Sequence, residues 1–309
     1  MQIMQSLILG IVQGLTEFLP VSSSGHLNVF PWVFGWETIS ESFDVALHIG
    51  TLFAIVIFFF KDWLSLIKAG YKKVVKKEES VEGKMFWYLV IATIQAGILA
   101  LVLDKVSETI INGNFKLEMG LIAIALIVMG IILAIVDKKA ENKHKYEDIN
   151  LKQSVLIGMS QAIAAAFPGV SRSGITMTIA RSLKIDRESA AKFSFLLSTP
   201  IVAAAVLVDL AEFALTSIPF WIGVFSSFIV GLIVVKFLMD YLGKIVAWTP
   251  VVNTNDYVYG YLIQMSKQKG ISDMYNTKVL TASGDILKFT IDRKTFINDV
   301  RSTSTDKVL

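Results

Sequence analysis

Five uninterrupted apolar stretches, each close to the thickness of a bilayer, constrain this chain more than any other feature. They run over 43–60, 85–103, 117–136, 193–210 and 218–239. A helix crosses the hydrocarbon core in about 20 residues, and a chain that crosses repeatedly does so as helices or as a closed barrel. These stretches are rich in Leu, Ile, Ala and Phe and do not alternate with period two, so helices are expected. Composition agrees: of 309 residues, 54% are hydrophobic and 18% charged, unlike a soluble domain of this length. The formal net charge of +3 is too small to indicate nucleic acid, and without cysteine there is no disulfide, thiolate catalysis or cysteine-ligated metal. The start at 1–12 is apolar, has no basic region before it and is followed at once by Gln13 and Glu17, so no cleavable signal peptide is expected.

Charge between the stretches orients them. Residues 61–84 carry Lys61, Lys68, Lys72, Lys73, Lys76 and Lys77, and residues 137–152 carry Lys138, Lys139, Lys143 and Lys145. The intervening 104–116 holds two lysines. The positive-inside rule places both lysine-rich loops in the cytoplasm and the poor one outside. A third basic stretch, 181–192, fits the cytoplasmic side as well. These lysines read as solvated, orienting charge and not as a site.

The chain also repeats itself. Ser6 to Gln13 (SLILGIVQ) reads like Ser154 to Gln161 (SVLIGMSQ), and the same offset sets Pro20 on Pro168 and Ser23 on Ser171. Ser-Gly follows in both copies with a slip of one residue, and 43–54 resembles 193–204. Repeat one is read as about 1–103 and repeat two as about 153–240. Each copy opens with a short apolar stretch that Pro, Ser and Gly interrupt before it can cross, which suits a broken or re-entrant helix buried in protein or lining a wet cavity. Three crossings lie between the copies, so their topologies are inverted, and paired interruptions point to a binding site near the midplane. Simple kinking of packed helices is the plainer alternative, and the polar residues gathered on both interruptions argue against it. The fold class expected is an all-α polytopic membrane protein, an inverted repeat whose two re-entrant helices meet at a central site.

The first interruption, Gln13 to His26, contains Glu17, Ser22, Ser23, Ser24 and His26. Gln13 and Glu17 share a helix face. An ionisable residue at membrane depth is costly and is a functional candidate by default. Together these groups supply a base, an acid and hydroxyl nucleophiles. The second interruption contains Ser171, Arg172, Ser173, Gly174 and Thr176. Arg172 between apolar segments needs an anionic partner, and its planar fork suits phosphate oxygens. Gly169 and Gly174 let the backbone curl toward an anion, and a helix beginning after the loop would point its positive end there. A structural Arg172–Glu17 ion pair is the competing reading, and it leaves the flanking hydroxyls unexplained. His48 lies in an apolar run near Asp44 and reads equally as a packed residue or a site member; His144 reads as solvated.

The strings QxxxE at 13–17, PVSSSGH at 20–26, FDVALHIGT at 43–51, PGVSRSG at 168–174 and RESAAKFSFLL at 187–197 resemble the undecaprenyl-diphosphatase, or bacitracin-resistance, family. The resemblance covers about residues 1–245 in the same order. It implies an integral-membrane phosphatase that removes the terminal phosphate of undecaprenyl diphosphate, requires a divalent cation (Mg²⁺ or Ca²⁺) and opens toward the outer face of the plasma membrane. By motif position Glu17, Ser23, His26 and Arg172 are its catalytic residues. Gln13, Ser22, Ser24, Ser171, Ser173, Gly174 and Thr176 are expected to bind substrate, and Glu17 with Gln13 to hold the metal. Many family members carry Glu in place of Gln13, so Gln13 is read as a metal or phosphate contact. Ser23 is the preferred nucleophile with His26 passing its proton, and direct attack by His26 stays open. The partners expected are the polyprenyl diphosphate and membrane lipid, without nucleic acid; a homodimer is compatible.

Two rival functions remain at this level. An inverted repeat around a midplane site is also transporter architecture, so a lipid-phosphate carrier or flippase fits. A phosphatidic-acid-type phosphatase shares the Ser-Gly-His string but needs a second histidine after its Ser-Arg, and none follows Arg172. Family members normally close with a further membrane helix, whereas 245–265 carries Pro250, Asn253, Asn255 and Asp256, too polar for such a span. The membrane domain is therefore read as 1–265 and a polar appendage as 266–309, with a small hairpin over 278–292 around Ser283, Gly284 and Asp285.

Overall fold

The computed structural model describes residues 3–36, 40–111, 115–208, 217–248, 274–280 and 286–292. The chain divides into two compact units, Met1–Val246 and Ala247–Leu309. The domain boundary expected at 265/266 and the polar part of the questioned span, 249–265, lie outside the described residues.

The first unit is helical among its described residues: α1 (Ile3–Thr16), α2 (Ser23–Phe34), α3 (Glu41–Phe58), α4 (Phe60–Val75), α5 (Val81–Ile111), α6 (Phe115–Lys139), α7 (Leu151–Ala166), α8 (Arg172–Ser182), α9 (Arg187–Val208) and α10 (Ile218–Trp248). Among their described residues the five apolar stretches are found in α3, α5, α6, α9 and α10, the first of them running over the bend to Phe60 of α4. By length and composition α5, α6, α9 and α10 suffice to cross a membrane, and α3 with α4 makes a fifth span if that pair, bent by 72°, is one crossing. Outward faces are apolar, as lipid requires: Ile94 and Ile98 on α5, Ile127 and Ile131 on α6, Ile233 and Phe237 on α10 are all exposed.

The lysine-rich segment 61–84, expected as a loop, is largely the helix α4. Leu66 and Gly70 are buried on one of its faces, and Trp87 Nε1 of α5 donates to the Gly70 carbonyl at 3.2 Å. Phe60, Leu64, Ile67 and Tyr71 recur at helical spacing on an exposed face. The lysine count masked this amphipathic pattern.

The repeat is a packing device. In both copies a short helical hairpin comes first, α1 on α2 and α7 on α8, followed by a longer helix, α3 or α9. The closing helix of each repeat then covers the opening helix of the other. On α1, a Cβ at Gly10 would lie 2.5 Å from the Gly223 carbonyl oxygen of α10; on α7, a Cβ at the equivalent Gly158 would lie 2.8 Å from the Ala92 carbonyl oxygen of α5. Both positions demand glycine because backbones meet there. Helix α6 stands outside the repeat, and its buried Ile122 touches both hairpins: Cβ atoms built on Gly25 and Gly169 would meet it at 3.3 and 2.7 Å.

In the second unit β1 (Met274–Leu280) pairs antiparallel with β2 (Ile286–Asp292), Leu280 opposite Ile286 and Met274 opposite Asp292. This is the expected hairpin, beginning four residues earlier; its turn at 281–285 lies outside the described residues.

Candidate active site

Each hairpin interruption is closed by a serine cap. In the first, Glu17 continues the last turn of α1 through its amide to the Gln13 carbonyl (3.0 Å), and Phe18 anchors the tip edge-on against Phe195 of α9, with centroids 5.5 Å apart. Ser22 then takes φ +65°, a left-handed conformation costing a non-glycine residue about 1–3 kcal/mol. Its hydroxyl accepts from the Gly25 amide at 3.3 Å and caps α2. In the second, Gly169 at φ +86° turns the chain, and the Ser171 hydroxyl accepts from the Gly174 amide at 3.1 Å to cap α8. Ser22-Ser23-Ser24-Gly25 therefore does the same structural work as Ser171-Arg172-Ser173-Gly174. At the first helical position after the cap, one repeat carries the hydroxyl of Ser23 and the other the guanidinium of Arg172.

Both of these side chains reach one carboxylate. Ser23 Oγ donates to Glu17 Oε2 at 2.6 Å, and Arg172 Nη2 donates to Oε1 at 3.2 Å. Gln13 Nε2 adds a second donor to Oε2 at 3.2 Å. Charge-assisted bonds of this kind offset the desolvation of a carboxylate at membrane depth. The loops are stitched together beside it, where Ser173 Oγ donates to the Glu17 carbonyl at 3.2 Å. The ion pair and the hydroxyl cluster, competing explanations at the level of sequence, are parts of one arrangement.

An imidazole completes this arrangement from α3. His48 Nε2 lies 3.4 Å from Glu17 Oε2, while Nδ1 lies 2.9 Å from the Asp44 carbonyl and 3.6 Å from Asp44 Oδ1. A carbonyl only accepts, so Nδ1 carries a hydrogen, and Nε2 donates to Glu17 when the ring is protonated. The sequence reading weighed His48 evenly between packing and function; it stands in the site.

These groups open into a cavity of about 300 Å³. Glu17 and Ser22 to Ser24 line it from the first loop, Ser171 to Ser173 from the second, and His48 and Gln161 from α3 and α7. Its remaining wall is apolar and mostly small, including Ala96 and Ala100 of α5 and Ala164 and Ala165 of α7. The other expected residues stand back from it. Gln13 is fully buried behind Glu17, with Thr51 Oγ1 at 3.5 Å. Gly174 gives its amide to the cap and leaves room for it, since a Cβ there would sit 2.9 Å from Ser171 Cβ. Thr176 donates to the Arg172 carbonyl at 2.8 Å and pairs with Ser194 of α9 at 2.5 Å, holding α8 in place. His26 Nδ1 bonds the Ser22 carbonyl at 2.7 Å, and the hydroxyl of Ser23 is engaged by Glu17.

The oxygen donors suit a hard divalent cation. Among the described residues there is no group of three or more His, Cys, Asp or Glu side chains placed to hold a metal. Beside the Glu17 carboxylate, however, the buried Gln13 Oε1 has no hydrogen-bond partner. One carboxylate and an amide oxygen, completed by substrate phosphates and water, is the way Mg²⁺ is commonly bound. The residues present fit that mode.

Residues 6–252 match the family model described as bacitracin resistance protein BacA. Several curated undecaprenyl-diphosphatases are similar over most of the chain. One from Pelotomaculum thermopropionicum is 46% identical over 244 residues, covering 78% of this chain and 89% of that protein. One from Caldicellulosiruptor bescii is 45% identical over 248 residues, with the same coverage. One from Marinobacter nauticus is 37% identical over 257 residues, covering 82% of this chain and 95% of the relative.

Proposed function

The chain belongs to the bacitracin resistance protein BacA family, and from that premise we propose that it is a multi-pass membrane phosphatase converting undecaprenyl diphosphate to the monophosphate and inorganic phosphate. In this role it recycles the carrier lipid of cell-envelope glycan synthesis and confers bacitracin resistance. The observation that carries the reading is the junction of Ser23, Glu17 and Arg172 at the polar end of a cavity whose other walls are small and apolar. A polyprenyl diphosphate has the same two-part chemistry.

Ser23 Oγ attacks the terminal phosphorus while its proton passes to Glu17, the acceptor 2.6 Å away. The bond from that phosphorus to the bridging oxygen breaks, and the lipid monophosphate leaves. Once Glu17 has given that proton to the departing monophosphate, water attacks the phosphoserine and Glu17 takes one of its protons; that proton returns to the Ser23 oxygen as its bond to phosphorus breaks, and phosphate leaves with the other. Arg172, with Ser171 and Ser173, grips the phosphate oxygens and offsets charge building on the transferred group. His48, held by Asp44, fixes the orientation of Glu17 and supports its charge. Gln13 and Glu17 would hold a divalent cation, which when bound would supply positive charge against the phosphates. Trapping the phosphoenzyme tests the nucleophile: label is expected on Ser23, and label on His26 would reverse the assignment. Lysine-rich 61–84 and 137–152 face the cytoplasm in this reading, and the site opens to the outer side.

The carrier alternative shares the inverted repeat. A carrier has no use for a hydroxyl on a carboxylate in one half opposite a guanidinium in the other, and that asymmetry favours catalysis. The test is phosphate release from a prenyl diphosphate by purified protein in detergent with Mg²⁺ or Ca²⁺. Release that Ser23→Ala and Arg172→Ala abolish is expected; a folded wild type releasing none would leave the carrier.

A further inference from the structure

Outside the two loops, Gln161 is the one cavity-lining polar residue to which the reaction above gives no task. It is 4% exposed, and among the described residues neither Nε2 nor Oε1 of its amide has a hydrogen-bond partner. Such a group is unfavourable in a protein interior unless something completes it. Its counterpart in the repeat, Gln13, directs Nε2 to Glu17 and Thr51. The two copies thus kept the amide and gave it different surroundings: Gln13 supports the carboxylate from behind, whereas Gln161 lines the cavity itself.

Its position on α7 says what it faces. Residues three and four apart share a helix face, so Gln161 stands on the same face as Ala164 and Ala165, and all three line the cavity. On this face a buried amide lies beside small apolar side chains. In a polyprenyl diphosphate the phosphate with an apolar neighbour is the lipid-side one, bonded to the first isoprenoid unit. The terminal phosphate belongs with Ser23 and Arg172, contributed by the two loops. A neutral amide also suits the lipid-side group, because it adds no charge that would hold the departing monophosphate.

Resting on the proposed phosphatase reading, we infer that Gln161 is a substrate-binding residue whose Nε2 donates to the lipid-side, non-transferred phosphate. Farnesyl monophosphate, which carries only that phosphate, and inorganic phosphate, which mimics only the terminal one, separate the two subsites by direct binding to the full chain in detergent. Gln161→Leu is expected to weaken farnesyl monophosphate roughly tenfold to a hundredfold, the usual scale for a lost bond to a charged group. Inorganic phosphate should bind within about twofold of wild type, and kinetics should show a raised KM with kcat nearly unchanged. Gln161→Glu keeps the size and replaces the donor with a repelling carboxylate, so its loss should be larger; it decides the matter if the leucine variant does not fold. Farnesyl monophosphate binding unchanged in the folded variants, or an equal loss for both probes, overturns the assignment. A wild type that binds the probes in this pattern yet releases no phosphate would instead sink the phosphatase reading.

Discussion

Exchanging Glu17 for glutamine keeps the size of the side chain and changes which of its neighbours can be satisfied. The carboxylate accepts from Ser23 and Gln13 on Oε2 and from Arg172 on Oε1, with His48 Nε2 at 3.4 Å. An amide has a single oxygen, so its NH₂ must face either the guanidinium or the Ser23–Gln13 side, and Ser23 loses its base in either orientation. Loss of a general base costs about 10²–10⁴ in rate, and a lost bond to a charged group about 1.5–3 kcal/mol. Because the Ser23–Glu17 contact is both of these, the two figures overlap and do not add. A fall in kcat of about 10³ follows, equivalent to about 4 kcal/mol on the barrier. Arg172 is 29% exposed and can turn partly to water, so the thermal midpoint should move by only a few degrees, roughly the effect of 1 kcal/mol. Phosphate release from a prenyl diphosphate, run beside thermal unfolding in the same detergent, measures both. A folded Glu17→Gln protein retaining kcat within tenfold of wild type would refute the assignment of Glu17 as the base of Ser23.

Arg172→Lys keeps the charge and loses the planar fork, so kcat/KM should fall about a hundredfold or more; near wild-type kinetics would mean that charge alone suffices. His48→Gln removes the imidazole beside Glu17 and should lower kcat about tenfold while KM holds, whereas an unchanged kcat would make His48 a packing residue. Alanine favours a helix interior over glycine by about 1 kcal/mol, yet Gly10→Ala and Gly158→Ala should both lower the unfolding midpoint. The added methyl groups would meet carbonyl oxygens at 2.5 and 2.8 Å, and a raised midpoint in either variant would contradict the exchanged helix packing. Gly169→Ala combines φ +86° with a 2.7 Å approach to Ile122 Cα and should lower both the midpoint and the activity.

Much of this architecture was legible before any coordinates. Apolar stretches long enough to cross a membrane announce helices by themselves, and all five are found in helices. The serine caps Ser22 and Ser171, which start α2 and α8, emerged only with the structure, whereas the echo of Ser6–Gln13 in Ser154–Gln161 announced the repeat. These signals are local, set by neighbours within a turn or two, and composition and spacing carry them faithfully. The amphipathic α4 was equally local and was obscured because its lysines were counted as charge and its apolar spacing was not followed.

What the sequence determined by itself was the inventory: a helical membrane chain, duplicated, with Glu17, Ser23 and Arg172 gathered on its two interruptions. The tertiary structure decided which of these side chains meet. The family resemblance suggested His26, near Ser23 on α2, as its proton partner, but a helical neighbour three residues away need not point the same way. Folding instead brought Glu17 to Ser23 and set His48 of α3 against that carboxylate. It drew Thr176 into packing with Ser194 and left Gln161 facing the cavity while its twin Gln13 was covered. Such contacts span from a few to more than a hundred residues of chain, and they form as α10 packs on α1 and α5 on α7, joining the two repeats.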